Sequence, residues 1–116
     1  MAFVRAASLD EFRDGEAVAA VVDDQELALA HDGDEYFAVE DICSHAAVAL
    51  SEGEVEDCTV ECWLHGSRFD LRTGKPTGLP ATEPVSTFPV EVRANPDGTS
   101  DVYVDITTTL NGVTPQ

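Results

Sequence analysis

The sequence predicts an all-β domain, a small antiparallel β-sandwich with an inserted subdomain over about residues 42–82. Three observations carry this. Short apolar runs recur between Gly, Asp, Asn and Pro turn signals, as in compact β domains. No stretch holds a 3.6-residue apolar period long enough for a sizeable helix. The tetrad Asn95-Pro96-Asp97-Gly98 between two β-prone runs is a hairpin signal. With 116 residues, 43% of them apolar, the chain is expected to form one domain over 1–116, small enough to gain from a metal staple.

In chain order, residues 3–7 predict an opening strand. Ser8-Leu9-Asp10-Glu11 has capping-box form and predicts one helical turn, ended by Asp14-Gly15. Residues 17–22 and 26–30 read as strands around an Asp23-Asp24 turn. Asp32-Gly33 turns again into a strand at 36–39. Residues 42–50 are expected to form a loop with at most one helical turn, and 51–54 a turn. A strand at 59–62 leads in and one at 68–71 leads out, followed by a turn-rich crossing at 73–78. Residues 87–92 and 100–106 are expected to pair through the Asn95–Gly98 turn. The polar residues 107–116 are expected to be a mobile tail.

The charge is lopsided. Asp and Glu number 23 against 6 Lys and Arg, giving a net charge of −17, and Lys75 is the only lysine. Such a surface repels phosphate backbones and anionic lipid, so neither nucleic acid nor membrane is an expected partner. It either steers the chain towards basic docking faces or is simply a solvated surface, including one adapted to salt. No run of eighteen apolar residues is present, and the first residues lack the apolar core of a signal peptide. The expected location is cytoplasmic.

The chemistry concentrates between residues 43 and 70. Cys43-Ser44-His45 is followed, sixteen residues on, by Cys62-Trp63-Leu64-His65 and then Gly66-Ser67-Arg68-Phe69-Asp70. Each half offers one thiolate and one imidazole. Two sulfurs and two nitrogens suit a mononuclear zinc ion, and equally a [2Fe–2S] cluster with two histidines on one iron. Cys58 reads as a structural thiol, and His31, beside a turn, as a surface residue. No acid–base or nucleophile constellation stands outside the four ligands, so no catalytic residue is assigned.

The pattern C-x-H, sixteen residues, C-x-x-H-G-S-R-F-D-L-R-T-G-K resembles the Rieske-type [2Fe–2S] ferredoxins, electron carriers of bacterial non-haem iron oxygenases. The resemblance spans about residues 3–105 and is most specific at 41–81. It implies the Rieske fold with residues 42–82 as its cluster-binding subdomain, and one [2Fe–2S] cluster. Cys43 and Cys62 would hold the inner iron, His45 and His65 the outer one, with the histidine edges near solvent. It implies a carrier rather than an enzyme, exchanging single electrons between a flavoprotein reductase and a terminal oxygenase. Contacts would be transient, through basic faces of those partners, with the carrier a monomer.

Around the ligands, the resemblance implies that Gly66 admits backbone N–H groups close to the sulfurs. Gly78-Leu79-Pro80-Ala81 resembles the proline loop that covers the cluster, or is a plain β-turn. Trp63 and Leu64 would cover the cluster, form part of a docking face, or in the case of Trp63 pack in the core. Ser67 stands where a serine hydroxyl approaches the cluster sulfurs in high-potential members, or serves as a turn residue. Phe69 replaces the tyrosine of those members, and Val48 and Leu64 replace their loop-tying cysteines. Fewer hydrogen bonds to the reduced cluster imply a potential at the low end, on the order of −150 mV. The departures are Ala46-Ala47, where glycine is frequent, and Trp63, where proline is.

The charge logic supports this use of mixed ligands. Two ferric ions, two sulfides and two thiolates sum to zero, against −2 with four thiolates, so the mixed cluster accepts an electron more readily. Competing readings are a small subunit of a nitrite-reductase-like enzyme, an accessory in iron–sulfur assembly or regulation, and a zinc-stabilised interaction module.

Overall fold

The structure is a computed structural model and describes residues 3–44, 47–64 and 66–115. Ten strands follow in order: β1 (Val4–Ser8), β2 (Val18–Val22), β3 (Gln25–Asp32), β4 (Glu35–Glu40), β5 (Val55–Glu56), β6 (Thr59–Glu61), β7 (Arg68–Asp70), β8 (Thr87–Phe88), β9 (Val90–Ala94) and β10 (Ser100–Val104). They form three antiparallel sheets, ordered β2-β3-β4-β8, β1-β10-β9 and β5-β6-β7. Among the described residues the helical content is two 3₁₀ turns, Leu9–Glu11 and Leu50–Glu52. No helix there is long and apolar enough to cross a membrane.

The four-stranded sheet is the middle layer, and β3 shows why. Alternate residues of a strand face opposite sides, yet Leu27, Ala28, Leu29 and Ala30 are all buried. Leu27 and Leu29 join Val22, Ala38, Phe88, Val102 and Val104 in one core, against the β1-β10-β9 sheet. Ala28 and Ala30 join Val39, Val60, Phe69, Leu71 and Val85 in a second core, against the β5-β6-β7 sheet. The small alanines let that third sheet approach closely.

Turn chemistry sets the hairpins. Asp23 and Asp24 take φ of 46° and 69° between β2 and β3, the left-handed pair that suits strand twist and that Asp tolerates. The capping-box residues make one 3₁₀ turn, with the Ser8 N–H donating to Glu11 Oε2 at 2.7 Å. That turn ends at Phe12, earlier than Asp14-Gly15. The helical turn expected within 42–50 falls at its end, on Leu50–Glu52.

One expectation needs correcting. The run 87–92 is not one strand. Pro89 has no N–H to give a ladder, so Thr87–Phe88 pairs with β4 while Val90–Ala94 pairs with β10. Asn111 in the C-terminal stretch is well hydrogen-bonded. Its amide donates to the carbonyls of Thr73 and Val85 at 2.8 Å each, its Oδ1 accepts the Thr87 N–H, and the Leu110 N–H donates to Thr87 O at 2.8 Å. The tail therefore fastens the crossing after β7 to the chain entering β8.

Candidate metal centre

Cys43 lies just beyond β4 and Cys62 just beyond β6. Both are buried, and both belong to the core beneath β3 and β4. Backbone bonds shape their loops. The Cys43 N–H donates to Val48 O at 2.9 Å, closing the first loop. In the second, the Cys62 N–H donates to Ser67 O at 2.7 Å and the Gly66 N–H to Cys62 O at 2.9 Å. Gly66 takes φ of +77°, a left-handed conformation costly for a side chain. His45 and His65, the other two expected ligands, lie outside the described residues, as does Ala46.

Gly53 places the second loop. A Cβ there would fall 1.6 Å from Glu61 O, so only glycine allows the turn after Leu50 to lie against the last residue of β6. Sequence reading registered residues 51–54 as a turn and missed this contact. It also missed β5, whose two residues are too few for a visible alternation.

A third loop closes over the first two. The Ala81 N–H donates to Ser67 Oγ at 3.1 Å, and the Ser44 hydroxyl donates to Glu83 O at 2.6 Å. Ser67 is buried, and accepting from Ala81 leaves its hydroxyl proton to donate elsewhere. The Leu79–Pro80 peptide is cis. Trp63 and Leu64 are not core residues. They are 51% and 42% exposed, and Leu79 is 81% exposed.

Cys58 lies in the same buried cluster as Cys43 and Cys62, and His31 lies on β3. Cys58 takes φ of +58° beside Asp57 in the β5–β6 turn, and Arg72 Nη1 donates to its Sγ at 3.0 Å. Burial pushes its thiol above the ordinary value, more strongly than the Arg72 charge pulls it down. His31 stacks on Tyr36 and meets the edge of Phe12, with Nε2 3.4 Å from Asp14 Oδ1.

Two buried cysteines in one core cluster suit a soft metal centre, since thiolates out of water need a cation to hold their charge. A model of the Rieske [2Fe-2S] domain family matches residues 2–89. The chain belongs to that family. Its group is therefore a Rieske-type [2Fe–2S] cluster. The buried cysteine pair fits it, and the expected all-β architecture is the one observed.

This Rieske domain is 44% identical over 97 residues to the anthranilate 1,2-dioxygenase ferredoxin subunit of Burkholderia cepacia, covering 84% of this chain and 87% of the relative. Its fold superposes on the ferredoxin of carbazole 1,9a-dioxygenase from Nocardioides aromaticivorans IC177 with a TM-score of 0.79 and 39% identity, covering 90% and 97% of the two chains. A chain in the complex of reduced oxygenase and oxidised ferredoxin in carbazole 1,9a-dioxygenase matches with a TM-score of 0.72 and 31% identity, over 88% and 91%.

Proposed function

We propose that this Rieske domain is the ferredoxin of a ring-hydroxylating dioxygenase system, a one-electron carrier that catalyses no step itself. The observation that carries the reading is the burial of Cys43 and Cys62 in one core cluster, each opening one half of the Cys-x-His and Cys-x-x-His pattern. Cys43, His45, Cys62 and His65 are the cluster ligands in this reading. Ser67, Gly66 and Pro80 shape the pocket around it. Bound there, the cluster stores a single electron at neutral or singly negative charge. Phe69 is buried and offers no hydroxyl, which supports a potential at the low end of the Rieske range.

The partners are a flavoprotein reductase that supplies the electron and a terminal non-haem iron oxygenase that takes it. The complexes are transient, the carrier is monomeric, and it works in the cytoplasm. The net charge of −17 supports attraction to basic surroundings on those partners.

Low-temperature EPR before and after dithionite tests the reading. Reduction is expected to produce a signal whose average g matches mixed Cys/His ligation. A silent sample holding stoichiometric zinc overturns electron transfer and leaves the interaction module.

A further inference from the structure

Between β7 and β8 the chain leaves the sheets, and residues 71–86 form no strand or helix. Such a segment takes its shape from the hydrogen bonds that fix its ends and its middle. Its middle is bonded to both ligand loops. The Ser44 hydroxyl, next to Cys43, donates to Glu83 O, and the Ala81 N–H donates to Ser67 Oγ, in the loop that Cys62 opens. Its ends meet at Gly74 and Val85, where the Val85 N–H donates to Gly74 O at 2.9 Å.

A side chain from the C-terminal stretch spans that junction. Asn111 Nδ2 donates to Thr73 O at one end and to Val85 O at the other, at 2.8 Å each. Its Oδ1 accepts the N–H groups of Thr87 at 3.3 Å and Val113 at 3.2 Å. A primary amide has two N–H donors and an oxygen with two lone pairs, and here every one of them is used. An aspartate of the same shape would set a carboxylate oxygen against two carbonyls that need a donor. Gly74 makes the room, since a Cβ there would lie 2.1 Å from Val85 O and 2.7 Å from Asn111 Nδ2. Asn111 lies beyond the residues 2–89 that the family model matches.

We propose that Asn111 is a positioning residue for the metal centre. It acts through the 75–84 loop. By pinning both ends of that loop it keeps Glu83 on Ser44 and Ala81 on Ser67, and so keeps the loop shut over the two ligand loops. The inference rests on the electron-carrier reading and adds a residue that controls the centre from outside the four-ligand pattern. Two consequences follow from releasing the ends. Water and chelators reach the ligand loops sooner, so the cluster is lost faster. Water also stabilises the more negative reduced state more than the oxidised one, so the potential rises.

The test compares the intact, cluster-loaded protein with Asn111→Ala, Asn111→Asp and Val102→Ala. Val102 is buried in the other core, the one shared with Leu27 and Leu29, so its truncation lowers the thermal midpoint without touching the loop. Three quantities are read well below every midpoint: the rate of bleaching by an iron chelator, amide hydrogen exchange of residues 75–84 by mass spectrometry, and the potential. Both Asn111 variants are expected to bleach about tenfold faster than the unchanged protein, as loss of a residue supporting a metal site does, and to exchange faster in residues 75–84. Asn111→Ala, which adds no charge, is expected to have a raised potential. Val102→Ala is expected to stay within about twofold of the unchanged protein in bleaching and to keep its potential.

Bleaching and exchange in the Asn111 variants no faster than in Val102→Ala overturn the proposal, because general loss of stability then explains them. An unchanged or lowered potential in Asn111→Ala overturns it as well. Should Asn111→Asp take up no cluster, Asn111→Ala decides alone, since losing neutral hydrogen bonds leaves the fold standing. An unchanged protein without the Rieske EPR signal defeats the carrier reading itself, which no result on an Asn111 variant does.

Discussion

At the residue scale, the three cysteines differ in surroundings rather than in exposure. Cys43, Cys62 and Cys58 are all buried. Cys58, however, is held in a left-handed turn with the Arg72 guanidinium on its sulfur. Arg72 is committed elsewhere too, to Glu35 Oε1 at 2.6 Å and over the Phe37 ring. Cys58→Ser is expected to leave iron content and the EPR signal unchanged, and loss of iron would make Cys58 a ligand. Its raised pKa also has a sign. The unfolded thiol releases its proton near the ordinary 9.0 and the folded one only at higher pH. The folded state therefore holds the proton longer, and this contribution to stability is complete below 9.0 and declines as pH rises towards the folded value. Denaturant unfolding between about pH 8 and 10 should show that decline, and Cys58→Ser should lack it.

The ligand assignment is tested at the same scale. His65→Cys keeps a donor suited to iron but adds a negative charge to the centre. Its potential is expected to fall by on the order of 100 mV, part of the gap between Rieske and four-cysteine clusters. An unchanged potential in protein film voltammetry would remove His65 from the ligand set.

At the element scale, glycines and one asparagine hold the metal-centre sheet in place. Gly53→Ala would drive a Cβ into the Glu61 carbonyl, and Gly74→Ala would put one 2.1 Å from Val85 O at a φ of +75°. Backbone must move in either case. Each is expected to destabilise the fold by at least about 2 kcal/mol, with Gly53→Ala also lowering iron content because β6 leads directly into Cys62. Iron-to-protein stoichiometry together with thermal unfolding checks both. Asn111→Ala removes four side-chain hydrogen bonds and is expected to cost about 2 kcal/mol. Limited proteolysis beyond residue 106 should become faster in that variant, and an unchanged cleavage rate would show that the tail is held by other contacts.

At the scale of the whole molecule, three layers share two small cores, and Cys43 and Cys62 belong to the core under the β5-β6-β7 sheet. Removing iron with a chelator should lower the thermal midpoint, because the bonds from the cluster to its ligands would no longer tie the loops together. Calorimetry of loaded and iron-free protein measures this, and an identical midpoint would show that the β5-β6-β7 sheet stands without its metal.

Much of this was legible in the chain itself. The turns at Asp23-Asp24 and Asn95–Gly98, the capping box at Ser8 and the spacing of Cys43, His45, Cys62 and His65 are local signals, and local signals survive without coordinates. The all-β class followed because no helical period competed with them. What the sequence alone determined was thus the family pattern, the fold class and the absence of Asp and Glu from residues 42–50 and 62–69. Tertiary structure decided the rest. It split 87–92 at Pro89 between two sheets, buried β3 on both faces, tied the tail down through Asn111, and turned Trp63 outwards when its composition allowed core or surface. Each of these depends on which surface meets a given residue from a distant part of the chain. That is settled by packing and hydrogen-bond satisfaction between elements, and no neighbour in sequence carries it.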